Sequence, residues 1–396
     1  MKYKLIFLLL VGLDALNLVY QTSEISISYG ESLILYGDFS PLQAIIKISI
    51  SIFGQNDFGL RFPMILTHIL SVILFFNISK HYIENDRYRL WLVLIFILLP
   101  GVLSSAIIID TAGLIIFGLL LFIWLYVNQY KKTYYSLLIF FAFIDNSYIY
   151  LFLALSIFSI YIKDRVFFIL NISMFLISVF LFGIDAHGSP KGHFLDALGL
   201  YAAIFSPIVF LYTVFVIYRK YLTKELDIIW FISSTALIVS LILSFRQSIT
   251  IEHFAPYLII ALPMVASSFI SSYRVRLKQF RQGYKMMFIV SIGLLFINTI
   301  IVLFNKELYR VIENPKKHFV YKFHIAKELA NELNKKSINC LDTDKQMQKR
   351  LYFYGITKCD KYRLIVHKVN IENKSSVTIS YKNRSVYSAN VTNINN

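Results

Sequence analysis

About eleven apolar segments, divided by short polar connections, constrain this chain more than any other feature. They cover residues 3–20, 58–80, 90–109, 110–127, 135–145, 146–162, 166–184, 199–218, 227–245, 251–273 and 286–304. Each is long enough, or nearly so, to cross a bilayer core that needs about 20 helical residues. A soluble domain cannot cover so much apolar chain: 57% of the residues are hydrophobic and 16% charged, with a mean hydropathy of +0.63. The expected fold is an all-α polytopic membrane protein with about 11 transmembrane helices.

Charge gives the expected orientation. Lys80, Arg87 and Arg89, then Lys131 and Lys132, Lys163 and Arg165, Arg219, Lys220 and Lys224, and finally Arg274, Arg276, Lys278, Arg281 and Lys285 fall in alternate connections. By the positive-inside rule those connections are cytoplasmic, as is the N-terminus. Around Asp145 the sequence allows two short spans, a re-entrant hairpin or one long helix, and two spans keep every basic cluster on one side. The net charge of +16 therefore reports topology rather than nucleic-acid binding, because the cations are not gathered on one soluble face. Met1-Lys2-Tyr3-Lys4 precedes the first apolar run without a small-residue cleavage site after it, so that run is expected to be a retained helix.

The connection at residues 21–57, expected outside, collects Glu24, Glu31, Asp38 and Asp57 beside Lys47 and Arg61. Ionisable groups so close to membrane are costly unless they face water or a substrate. Within it, Leu42 to Phe53 is apolar but too short to span, as for an amphipathic helix at the interface. Two further outside connections, Ile184 to Gly199 and the one holding Arg246, Gln247, Glu252 and His253, complete a polar face expected to enclose a cavity.

After Asn305 the chain turns polar for about 90 residues, enough for a small domain. The expected boundaries are 1–304 for the membrane domain and 305–396 for a small α/β extracytoplasmic domain. Apolar spacing predicts a helix over His318 to Lys336 and strands over Ser337 to Leu341, Tyr362 to Val369 and Ser376 to Tyr381. An odd span count puts this domain outside, where Cys340 and Cys359, the two cysteines of the chain, can pair. Sequons occur at Asn373, Asn383 and Asn390, a frequent accident in so Asn-rich a tail.

Three phrases carry a family resemblance. Gly37-Asp38 and Pro41-Leu42 are followed by Phe53-Gly54-Gln55-Asn56-Asp57-Phe58-Gly59-Leu60-Arg61-Phe62-Pro63; Leu99-Pro100 precedes Asp110; and His253-Phe254-Ala255-Pro256-Tyr257 opens a late apolar segment. In these the chain resembles the GT-C integral-membrane glycosyltransferases, particularly family 39, the group of the protein O-mannosyltransferases and the lipid A aminoarabinose transferase. The likeness covers about the first 130 residues and that late segment. It departs from the pattern at the opening Asp-Glu pair, of which only a glutamate remains, at Ser23-Glu24 or at Gly30-Glu31; the second lies nearer Gly37-Asp38.

The resemblance implies a bacterial inner-membrane enzyme of the cell envelope that moves a sugar from a polyprenyl-phosphate donor to a hydroxyl on a lipid, glycan or protein. Such transfer needs a base for the acceptor and positive charge for the leaving phosphate. Glu31 is the expected base and Asp110 a second carboxylate, with Glu24, Asp38 and Asp57 as alternative acids. Arg61, Lys47, Arg246 and Lys191 are the candidates for the phosphate. The sequence implies no cofactor beyond the lipid-linked donor, no nucleic-acid partner and no metal motif, and leaves divalent-metal dependence and oligomeric state open. His187, His193 and His253 lack ligand spacing and suit solvated loops better.

Plainer roles compete residue by residue. Arg61 can anchor a helix at the interface, Asp110 can cap one, Lys47 can snorkel from a surface helix, and Asp14 and Asp145 can be carboxylates paired within the bundle. At the level of function, the rivals are a transporter or flippase for a lipid-linked sugar, which would use inverted repeats and broken helices, and a non-catalytic binder of the same lipid.

Overall fold

The structure is a computed structural model and describes residues 2–183, 192–366, 376–381 and 384–393. In chain order the helices are α1 Lys2–Glu24, α2 Tyr29–Tyr36, α3 Pro41–Phe53, α4 Asp57–Ser79, α5 Asp86–Leu98, α6 Pro100–Ile107, α7 Thr111–Val127, α8 Lys131–Phe141 and α9 Tyr148–Ile162. They continue as α10 Arg165–Phe182, α11 Phe194–Phe205, α12 Pro207–Thr223, α13 Ile228–Ser244, α14 Ile251–Ile259, α15 Leu262–Val275, α16 Arg281–Leu303, α17 Ala326–Lys335 and α18 Lys345–Phe353. Strands β1 Tyr362–Val366, β2 Ser376–Tyr381 and β3 Arg384–Asn393 follow.

Prolines decide where apolar runs bend. Helices α2 and α3 meet at 90°, α5 and α6 at 61°, α11 and α12 at 107°, and α14 and α15 at 42°. In each pair a proline, Pro41, Pro100, Pro207 or Pro263, occupies the first or second position of the second helix. Proline lacks the N–H and clashes with the preceding turn, so it favours the start of a helix, although Pro63 within α4 and Pro256 within α14 are accommodated. Segments 90–109, 199–218 and 251–273 are therefore broken rather than straight. Among the described residues four helical stretches are long and apolar enough to cross a membrane singly: Lys2–Glu24, Asp57–Ser79, Arg165–Phe182 and Lys278–Leu303. The number rises to eight if each bent pair counts as one span. At Asp145 two helices are present, because the carboxylate accepts the Ser147 N–H at 2.8 Å and turns the chain between α8 and α9.

The chain forms two compact units. One comprises Met1–Asp14, Leu66–Ala106 and Asp110–Thr299, a bundle with a continuous core that includes Phe75, Phe96, Phe122, Phe152 and Tyr257. Several of its helices begin on an aspartate that caps a backbone N–H otherwise left without a partner: Asp110 on α7, Asp164 on α10 and Asp227 on α13. Asp14 and His68, both buried, meet at 2.8 Å between α1 and α4.

The other unit comprises Ala15–Ile65, Ile107–Ile109 and Ile300–Asn396, so the polar tail shares one unit with the connection between α1 and α4. Its sheet is antiparallel with β3 in the middle, Leu364 facing Val391 and Ile379 facing Tyr387 across the two ladders. Helix α17 buries Ala326, Leu329, Ala330 and Leu333, an i, i+3, i+4, i+7 stripe, and joins a core with Leu351, Leu364 and Val377. The helix expected from His318 starts only at Ala326; before it run short 3₁₀ turns, and Ile325 takes φ 83°. The strand expected at Ser337 to Leu341 is reduced to a bridge between Cys340 and Thr357. Cys340 and Cys359 are joined in a disulfide.

Candidate functional site

Helix α4 begins on a turn that its sequence dictates. Gly54 ends α3 with φ 83°, a conformation that other residues rarely adopt. A Cβ on Gly59 would lie 2.5 Å from the Gly54 carbonyl oxygen, so this position too requires glycine. Asn56 Oδ1 accepts the Gly59 N–H at 2.7 Å and Ser49 Oγ donates to the Gly59 carbonyl at 2.6 Å. The turn delivers Asp57 to the first position of α4, where the helix dipole favours an acid, and places Arg61 one turn later on the same face.

Helix α2 supplies the opposing charge. Ser28 and Glu31 form a capping box: Ser28 Oγ accepts the Glu31 N–H at 3.2 Å, and Glu31 Oε2 accepts the Ser28 N–H at 2.8 Å. Arg61 Nη2 donates to both Glu31 oxygens, at 3.1 and 3.3 Å, and to the Ser26 carbonyl at 3.1 Å. Glu31 Oε1 also accepts the Ile109 N–H at 3.2 Å. Exposure is 0% for Arg61, 2% for Glu31 and 7% for Asp57.

The C-terminal part of the unit closes the cluster. Tyr354 donates its hydroxyl to Asp57 Oδ1 at 2.7 Å and accepts the Ile27 N–H at 3.0 Å, while Lys327 pairs with Asp57 Oδ2 at 2.8 Å. Burial, reinforced by the Asp57 charge, holds the Tyr354 hydroxyl well above its ordinary pKa, so it stays a donor. Arg350 Nε donates to the Ile27 carbonyl at 2.8 Å, and its Nη2 reaches Ser26 Oγ and the His324 carbonyl. Two carboxylates, Glu31 and Asp57, thus pair with two cations, Arg61 and Lys327, while the buried Arg350 guanidinium beside them is held by Ser26, Ile27 and His324, so the cluster carries an excess of positive charge.

Three residues expected at the site, Glu31, Arg61 and Asp57, are therefore brought together, but they face one another instead of water. Glu24, the other glutamate, is half-buried and pairs with Lys306 at 3.0 Å. Asp38, between α2 and α3, and Lys47, on α3, are exposed. Asp110 caps α7 by accepting the Ala112 N–H at 2.9 Å, and Arg246 is exposed between α13 and α14. Lys191 and His187 lie outside the described residues. His193 approaches Asp196 at 3.2 Å, and His253 approaches Thr250 at 3.2 Å. Among the described residues no group of three His, Cys, Asp or Glu side chains could hold a metal ion.

Sequence reasoning missed helix α2 and with it the reason for Glu31, although the signal was present: Ser28-x-x-Glu31 is a capping-box pattern. Nothing local marks Lys327, Arg350 or Tyr354, because each meets residues 15–65 from about 270 positions or more away in sequence.

Chemically, the cluster has spare donors rather than spare acceptors. Both Glu31 oxygens are engaged, whereas Arg61 Nε and Nη1 are buried without a hydrogen-bond acceptor, Nη1 lying 3.5 Å from Asp57. Buried donors left over in this way need an explanation, and an anion would satisfy them. No protein-family model matches the chain, and no curated protein matches it in sequence.

Proposed function

We propose that the chain is a membrane glycosyltransferase, moving a sugar from a polyprenyl-phosphate donor to an acceptor hydroxyl on the outer face of a bacterial inner membrane. One observation carries this reading: Glu31, Asp57 and Arg61, singled out by the family-39-like phrases, belong to one buried ionic cluster with unspent arginine donors. In this reading eleven spans cross the bilayer, the N-terminus is cytoplasmic and the tail is extracytoplasmic. Arg61 turns its free N–H groups to the donor phosphate once Tyr354 and Lys327 release Asp57. Glu31 takes the acceptor proton when an acceptor hydroxyl replaces the 3.2 Å contact from Ile109.

The four proline-broken helix pairs favour a second reading, a transporter or flippase for the same lipid-linked sugar, since transporters build their sites at broken helices. Proteoliposomes holding a labelled polyprenyl-phosphate sugar separate the two. Transfer of label to a water-exposed acceptor, with free polyprenyl phosphate left behind, supports the transferase; movement of intact donor between leaflets without loss of sugar supports the flippase.

A further inference from the structure

Within the bundle lies a cavity of about 350 Å³ walled by α5, α12, α15 and α16, at the small end of the range for ligand pockets. Its lining is almost wholly apolar and aromatic, with Trp91, Ile95, Val265, Ala266, Phe269 and Phe288 along its walls. It is polarised from end to end. Arg87 and Lys285, near the starts of α5 and α16, line it beside Tyr88, Tyr273 and Tyr284, whereas Ile95 and Ser291 lie further along the same two helices and Leu262 at the end of α15 remote from Tyr273. Arg87 to Ile95 is eight residues of helix, roughly 12 Å.

The charge at the mouth is one-sided. Arg274 stacks over Tyr88 with 5.7 Å to the ring centroid, and Arg276 stacks over Tyr284 at 4.3 Å. Asp86, the carboxylate next to Arg87 in sequence, is held by Arg89 at 2.6 Å. Among the described residues neither Arg87 nor Lys285 is in an ion pair. A narrow apolar slot ending in two exposed cations, with aromatic side chains at the level between, is complementary to an amphiphile with a hydrocarbon chain and an anionic head.

We propose that this cavity is a binding site for an anionic phospholipid of the leaflet next to the basic connections. One acyl chain lies along Trp91, Ala266, Phe269 and Phe288, and the phosphate sits between Arg87 and Lys285. Basic residues beside membrane helices attract such lipids in general; the slot beneath these two gives the attraction a fixed address. The site is independent of sugar transfer and needs no donor.

The test uses full-length protein in phosphatidylcholine vesicles in which an equal fraction of lipid is brominated phosphatidylglycerol or brominated phosphatidylcholine. Bromine quenches nearby tryptophan, and the part of the quenching lost in Trp91→Phe is the signal from this site. The expected result is severalfold stronger Trp91 quenching by the phosphatidylglycerol. The excess should fall on the order of tenfold in Arg87→Gln/Lys285→Gln and vanish in Ala266→Leu, which fills the slot without changing charge. Equal quenching by both lipids overturns the proposal. So does an excess that survives Ala266→Leu, which would mean ordinary enrichment around the basic surface. Each variant is compared at matched thermal midpoint and monodispersity, and if the charge variant misfolds, Ala266→Leu alone decides.

Discussion

The two units each bury an acid beside a base, and they do so differently. Glu31 and Arg61 are held among Ser26, Ser28, Asp57 and the Ile109 N–H. Asp14 and His68 meet at 2.8 Å in apolar surroundings, with the Phe96 ring nearly parallel to the imidazole. The Asp14–His68 contact joins only α1 and α4. Arginine cannot give up its proton in a protein, so a buried Arg61 must keep its carboxylates, and the chain segments carrying them must stay assembled. The first arrangement fixes architecture; the second is a contact between two helices.

The largest effect should come from breaking the arginine cluster. Arg61→Met leaves Glu31 and Asp57 buried without their central cation, and losing one partner of a buried pair costs about 3–5 kcal/mol. Thermal unfolding in detergent should show a correspondingly large drop, and an unchanged midpoint would mean that the cluster is hydrated in solution. Next, reducing the Cys340–Cys359 bond, which spans 19 positions, should lower the stability of the C-terminal fold by about 3 kcal/mol, read by comparing chemical denaturation with and without reductant.

A pH experiment separates the cluster from its neighbour His324. Burial, with Lys306, His318 and Arg350 adding positive charge, pushes the His324 pKa down from 6.5 to about 3. The unfolded chain therefore binds the extra proton first. Stability from this histidine is complete above pH 6.5 and declines as pH falls from 6.5 to about 3, by about 1.4 kcal/mol per unit. His324→Gln should flatten the profile in that window by one proton's worth, and an identical slope in the variant would contradict a buried neutral imidazole. The smallest effect is expected from His68→Gln, which keeps a donor toward Asp14. A loss of about 1 kcal/mol is predicted, and a loss as large as that of Arg61→Met would erase the contrast between the two pairs.

Much of the fold was legible because it is local. Apolar runs became helices, the amphipathic stretch from Leu42 became α3, and Ser376 to Tyr381 became β2. What local pattern could not supply was direction. The segments 90–109, 199–218 and 251–273 had the composition of single spans, yet each is bent at its proline, Pro100, Pro207 or Pro263. Of the candidate site, the pairing of Asp57 with Arg61 was implicit in their i, i+4 spacing, and Glu31 could be inferred from Ser28. The contributions of Tyr354, Lys327 and Arg350 depend on contacts between distant parts of the chain, which no single-sequence pattern encodes. His68, one histidine on an apolar face, carried no mark of its partner.

The central claim is that Glu31 serves chemistry as well as structure, and the capping box allows the two to be separated. Ser28→Ala removes the cap and leaves the carboxylate, while Glu31→Gln keeps the side chain's size and removes the base. Release of sugar from a labelled polyprenyl-phosphate donor should be followed in membranes containing equal amounts of folded protein. The account predicts that Ser28→Ala retains turnover near wild type and that Glu31→Gln loses about 100-fold to 10,000-fold, the usual range for a missing general base. Turnover in Glu31→Gln equal to that of Ser28→Ala would contradict it and leave Glu31 a structural residue alone.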